Sequence, residues 1–118
     1  MKPFAVIVFL LGVSFPLLAS QPDSGLASWY GEEHRGKTMA NGQPFSPDRL
    51  TCATWQYRFG QVLRVTNTAT GKSVVVICTD RGPNKRFKPR RCVDLSRAAF
   101  RKIADLKVGV VSVKVEPL

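Results

Sequence analysis

Leu26 to Tyr30 (LASWY) alternates apolar with small or polar positions and carries two aromatic rings, which predicts a strand. Gln61 to Asn67 (QVLRVTN) alternates as well, with either Val62 packing beside the stem of Arg64 or Leu63 and Val65 turned inward. Ser73 to Thr79 (SVVVICT) is an unbroken β-branched run, the pattern of a strand buried on both faces. Leu50 to Trp55 is a short apolar segment, Cys92 to Leu95 a short strand, and Val110 to Val115 (VVSVKV) a closing strand. The period changes once. Behind Ser96, a good N-cap, Ala99, Phe100, Ile103 and Ala104 share one side of a helix over Arg97 to Leu106, which Lys107 and Gly109 end.

Turn chemistry separates these segments. Gly31 to Pro47 holds three glycines and two prolines, so it reads as a loop with a turn at Asn41-Gly42. Thr68 to Lys72 reads as a hairpin turn, and Asp80-Arg81-Gly82-Pro83 ends its strand abruptly. About six short strands and one small helix imply a compact, largely antiparallel barrel, because closing the sheet removes exposed edges. A length of 118 residues allows one domain.

The N-terminus changes the compartment. Lys2, the apolar run from Phe4 to Leu11 and the small residues before Gln21 read as a signal peptide over residues 1–20, removed on export. Gln21 to Gly25 is a short linker, and residues 26–118 form the domain. No cysteine stands at the boundary, so neither a lipid anchor nor another stable membrane anchor is expected. The formal net charge of +10 falls to +9 with the loss of Lys2. In an exported chain, that charge points to wall polymers or lipid headgroups rather than to nucleic acid. Cys52, Cys78 and Cys92 all follow the signal. An oxidising compartment favours one disulfide and one spare thiol, and a cross-strand Cys78–Cys92 pair is the preferred arrangement. These spacings match no zinc site, and His34, the single histidine, reads as a surface residue in a Glu-rich turn.

Most of the carboxylates sit near termini or in turns; Asp48 after Pro47 reads as a turn initiator. Asp80 and Asp94 differ, because each stands where an apolar strand meets a loop. Dry surroundings on one side raise a carboxyl pKa and suit it to general acid work, although a strand-end Asp also caps backbone N–H groups. Tyr30, beside Gly31, is the aromatic candidate for a groove wall, whereas Phe59 and at least one tryptophan are assigned to the core. Lys85, Arg86, Lys88, Arg90 and Arg91 place five cations within seven residues, a stretch that would attract an anionic glycan in a salt-dependent way.

In chain order, Ala27-Ser28-Trp29-Tyr30-Gly31, Met39-Ala40-Asn41-Gly42, Leu63-Arg64-Val65-Thr66-Asn67, Thr79-Asp80-Arg81-Gly82-Pro83 and Val93-Asp94-Leu95-Ser96 resemble the rare lipoprotein A family. The resemblance runs from about Gly25 to Leu118. It implies a mainly β fold, a six-stranded double-psi β-barrel with one short helix. It also implies a periplasmic or secreted protein acting on peptidoglycan glycan strands, a lytic transglycosylase in the best-known members. Asp94 and Asp80 are then the catalytic candidates, and Tyr30, Asn41, Gln43, Thr51 and Arg81 the substrate-binding ones. No cofactor is expected, and the chain is expected to be a monomer.

Three positions depart from the family pattern: Gln43 stands where it has Glu, Ser46 where it has Asp, and Thr54 where it has His. An amide cannot donate a catalytic proton to a glycosidic oxygen. If the family's acids are essential, this chain binds glycan without cutting it, as an expansin-like module. If Asp94 or Asp80 is the acid, it cleaves. A third possibility is a scaffold or inhibitor that docks on another wall enzyme through the basic stretch.

Overall fold

Alternation decides which side chains enter the barrel. The computed structural model describes residues 23–87 and 90–118. The expected signal, Gln21, Pro22 and Lys88 lie outside the described residues. The strands are β1 (Asp23–Tyr30), β2 (Thr51–Ala53), β3 (Val62–Asn67), β4 (Ser73–Asp80), β5 (Arg91–Ser96) and β6 (Val111–Pro117). They close into a barrel in the order β1-β5-β2-β4-β3-β6. Leu63 and Val65 on β3, Val74, Val76 and Cys78 on β4, Val93 and Leu95 on β5, and Val113 and Val115 on β6 fill its interior. Of the two arrangements open for β3, the inward Leu63 and Val65 is the one adopted.

Several expectations are corrected. β4 is buried on one face only: Val75 and Ile77 are 43% and 44% exposed, because a barrel strand always has an outside. The barrel is largely antiparallel, as expected, but two of its ladders are parallel. β1 pairs with β5 and β2 with β4 in parallel, while the other four ladders are antiparallel. Asp23 to Gly25, expected as linker, already belong to β1 and pair with Val113 to Val115 of β6. Phe59 is not core but 40% exposed, lying beneath the Arg81 guanidinium at 4.0 Å.

The helix α1 (Arg97–Ile103) starts where the cap predicts, with Ser96 Oγ accepting from Ala99 N. It stops at Ile103, three residues short of the expected end, and a 3-10 turn over Leu106–Val108 follows. Its Ala99, Phe100 and Ile103 are buried against the barrel. Trp29 packs beside Phe100 and donates its indole N–H to Leu106 O, so this half-buried tryptophan packs against the core from its edge. Asn67, buried at the end of β3, donates to Ile103 O and fixes the helix end to the sheet.

All three cysteines are free, which removes the expected Cys78–Cys92 bridge. Cys78 instead lies beside Cys52 in the parallel β2/β4 ladder. The Cys52 thiol and the Arg81 guanidinium hold Cys78 below the usual thiol range, whereas burial pushes Cys92 up to about 12. Ellman titration of the denatured chain is therefore expected to count three thiols, and reductant should leave the melting temperature unchanged. A count of one would restore a disulfide.

Candidate active site

The pairings of β2 and β5 assemble what sequence order keeps apart. In the β2/β4 ladder Cys52 faces Cys78, but Ala53 faces Asp80, so Thr79 is the extra residue of a bulge. In the β2/β5 ladder Ala53 faces Asp94, and in the β1/β5 ladder Asp94 faces Ser28. Asp80, Ala53, Asp94 and Ser28 thus form one row across four strands. The backbones of the two aspartates lie two inter-strand spacings apart, about 10 Å. The single methyl of Ala53 between them leaves space above the sheet. That space is a cleft of ≈ 200 Å³ lined by Tyr30, His34, Ala53, Asp80, Arg81, Gly82, Asn84 and Asp94. Gly82 completes the wall: a Cβ there would stand 3.3 Å from both Ala53 Cβ and Asp94 Oδ2.

The two carboxyls are held differently. Asp94 Oδ1 accepts a short hydrogen bond from Ser28 Oγ, which in turn accepts from Arg91 Nη2 at 2.5 Å. Arg91 Nη2 is itself 3.8 Å from Asp94 Oδ1. Burial nevertheless wins and raises the Asp94 pKa above the usual carboxylate range. Ser28, Arg91 and His34 pull against that rise, and Asp80 adds to it. Asp80 is partly a backbone cap: its Oδ1 accepts from Ala40 N and Arg81 N, both at 2.9 Å. Its Oδ2 faces the Tyr30 hydroxyl at 3.5 Å. Burial, reinforced by Asp80 and Asp94, pushes the Tyr30 phenol up, so it stays a neutral donor. Tyr30 is stacked on Phe45 at 4.4 Å, which fixes its ring.

The structure brings Asp80, Asp94 and Tyr30 to one cleft, and Arg81 is among its lining residues. Asn41, Gln43 and Thr51 line a neighbouring pocket instead. The Arg81 guanidinium turns away from the cleft. Its Nη1 donates to Thr54 O at 2.9 Å and Tyr57 O at 2.8 Å, holding the loop between β2 and β3. Arg81→Ala strips two carbonyls of a charged donor and is expected to cost about 1.5–3 kcal/mol in urea unfolding; a loss under 0.5 kcal/mol would contradict that role. Lys85 stands over the Trp55 ring at 4.5 Å, and Arg86 and Arg91 flank Phe87. Arg90 is exposed. Among the described residues of the basic stretch, only Arg91 reaches the aspartate row.

His34 is the residue that sequence reasoning missed. It lies edge-on to Tyr30 at 5.4 Å and lines the cleft rather than open surface. Its position in a 3-10 turn directly after β1 was the available signal. Asp48 is likewise more than a turn initiator, since it pairs with both Arg35 and Arg97. Among the described residues, no group of three His, Cys, Asp or Glu could hold a metal ion.

Residues 23–115 match the family model described as lytic transglycolase. The chain belongs to this family, the RlpA-like double-psi β-barrels. It is 43% identical over 96 residues to the endolytic peptidoglycan transglycosylase RlpA of Yersinia pestis, covering 79% of this chain and 26% of that protein. Over 99 residues it is 39% identical to the RlpA of Rickettsia bellii, covering 81% and 42%. The chain thus spans less than half the length of these relatives. An apo expansin of Clavibacter michiganensis superposes with a TM-score of 0.64 at 25% identity, covering 83% of this chain and 50% of that one. The Streptomyces papain inhibitor shares the fold, with a TM-score of 0.67 at 24% identity over 83% and 94% of the two chains.

Proposed function

We propose that this RlpA-like barrel is exported to the periplasm or beyond, acts there on peptidoglycan, and cleaves its glycan strands as a lytic transglycosylase. The observation that carries this reading is Asp94. It is a half-dry carboxyl with a raised pKa on the wall of an open cleft, opposite a second aspartate and a fixed tyrosine. A group that keeps its proton to a higher pH is suited to general acid work.

One carboxyl suffices for the reaction. Asp94 gives its proton to the glycosidic oxygen as the bond from muramyl C1 breaks. The resulting carboxylate then takes the proton of the muramyl C6 hydroxyl, whose oxygen bonds to C1. The product carries a 1,6-anhydro end, Asp94 is again protonated, and no water is consumed. The two-carboxylate spacing of ordinary glycosidases is therefore not required. Ser28 and Arg91 stabilise the anionic phase of the cycle, since both favour the charged form of Asp94. Asp80 and Tyr30 offer an acceptor and a donor to sugar hydroxyls across the cleft.

Incubation of the purified protein with denuded sacculi is expected to release fragments ending in 1,6-anhydromuramic acid. The likeness to an expansin favours a second reading, adhesion without cleavage. It predicts capture on sacculi, weakened by salt, with no soluble fragments. Capture without anhydro ends would select it.

A further inference from the structure

A second cavity lies next to the aspartate cleft. It is a pocket of ≈ 320 Å³ lined by Asn41, Gln43, Ser46, Arg49 and Thr51 among others, with Phe45 as one wall. Phe45 is the ring on which Tyr30 stacks, so the Tyr30–Phe45 pair separates the two cavities. The partition is fixed from the loop side as well: Asn41 N donates to Thr79 O, and Ala40 N to Asp80 Oδ1.

The chemistry of this pocket is the opposite of its neighbour's. No carboxylate lines it, and its one charged lining residue is Arg49. The arginines around it are paired, Arg35 with Glu32 and Asp48, and Arg97 with Asp48. Among the described residues, no carboxylate pairs with the guanidinium of Arg49. Thr51 also lines the pocket, and its own hydroxyl is sealed beneath the wall without a hydrogen-bond partner. A guanidinium with no carboxylate partner, on a wall shared with the amide residues Asn41 and Gln43, makes a donor-rich receptor for an anion with planar oxygens.

We infer that the Arg49 pocket is a carboxylate subsite, which binds the acid group of one sugar unit while the neighbouring linkage lies over Asp94. The inference rests on the glycan reading above. The carboxylate has two sources on such a strand, the lactyl group of muramic acid or the end of a stem peptide attached to it. Chitin-like strands have neither, so this pocket gives the barrel a means of distinguishing wall glycan from neutral polysaccharide.

The test is titration calorimetry of the full chain at low salt with three small ligands. They are N-acetylglucosaminyl-N-acetylmuramic acid, the same disaccharide carrying L-alanyl-D-isoglutamine, and neutral chitobiose. At least one acidic ligand is expected to bind about ten-fold tighter than chitobiose, the size of one charge-assisted contact. The acidic ligand that holds the advantage identifies the source of the carboxylate. Arg49→Gln should erase the preference and Arg49→Lys should keep part of it. Arg101→Gln, an equal change of charge on the exposed face of α1, should leave it intact. Equal affinity for all three ligands, or an undiminished preference in Arg49→Gln, overturns the subsite. Binding of none of them overturns the glycan reading and the subsite together.

Discussion

Asp94→Asn is expected to lower the release of 1,6-anhydromuramyl ends by about 10²–10⁴-fold, the usual worth of a positioned acid and base. The amide keeps the shape of the side chain and the oxygen that accepts from Ser28. It removes the proton that the leaving oxygen needs. Glycan capture should survive, because the cleft walls and the Arg49 pocket are untouched. Undiminished product from the variant would move the chemistry away from Asp94; wild-type protein that yields no product would leave adhesion as the function.

The pH dependence follows from the raised pKa of Asp94. The protonated acid is present below that pKa, so cleavage should be strongest in mild acid and fall as pH rises through it. The same shift makes a separate statement about stability. The folded chain holds the Asp94 proton more tightly than the unfolded chain, whose carboxylate titrates near about 3.9. Stability should therefore decline with rising pH between that value and the folded pKa. Asp94→Asn removes this contribution, so its melting temperature at pH 7 should equal or exceed that of the wild type. A variant that loses activity while holding its stability marks a group whose charged form the fold tolerates for the sake of chemistry.

What the chain discloses in its sequence is local. Period-two alternation identified β3 and β6, the Ser96 cap placed the start of α1, and strand ends pointed to Asp80 and Asp94. Strand direction was not legible, because alternation specifies faces and not partners. The parallel β2/β4 ladder and the antiparallel β2/β5 ladder bring the two aspartates together across Ala53, which carries no chemical signal at all. Its value is that only a methyl stands between two carboxyls. The bulge at Thr79 was hidden for the same reason, since an extra residue in a ladder exists only relative to its partner strand. Family resemblance supplied the topology that pattern could not. His34 and Arg49 look like ordinary loop residues until Tyr30, Phe45 and the aspartate row give them a location.

Phe100→Ala is expected to destabilise the fold by about 3–5 kcal/mol, the cost of a large ring removed from a closed core. Phe100 is fully buried, faces Trp29 at 6.4 Å, and lies on a helix of only seven residues. So short a helix cannot hold its own shape in water and depends on the ring it inserts. A domain of this size has about 5–14 kcal/mol in total, so the variant should be close to its limit. The helix follows Asp94, Leu95 and Ser96 without a break, and Ser96 Oγ also donates to Arg49 O at 2.5 Å. Loosening α1 therefore releases the end of β5 and the backbone under the Arg49 pocket together. Urea unfolding should show the midpoint falling sharply while glycan capture and cleavage disappear in parallel with the folded fraction, in contrast to Asp94→Asn, where cleavage alone is lost. A Phe100→Ala protein within 1 kcal/mol of the wild type would mean that the barrel stands without its helix.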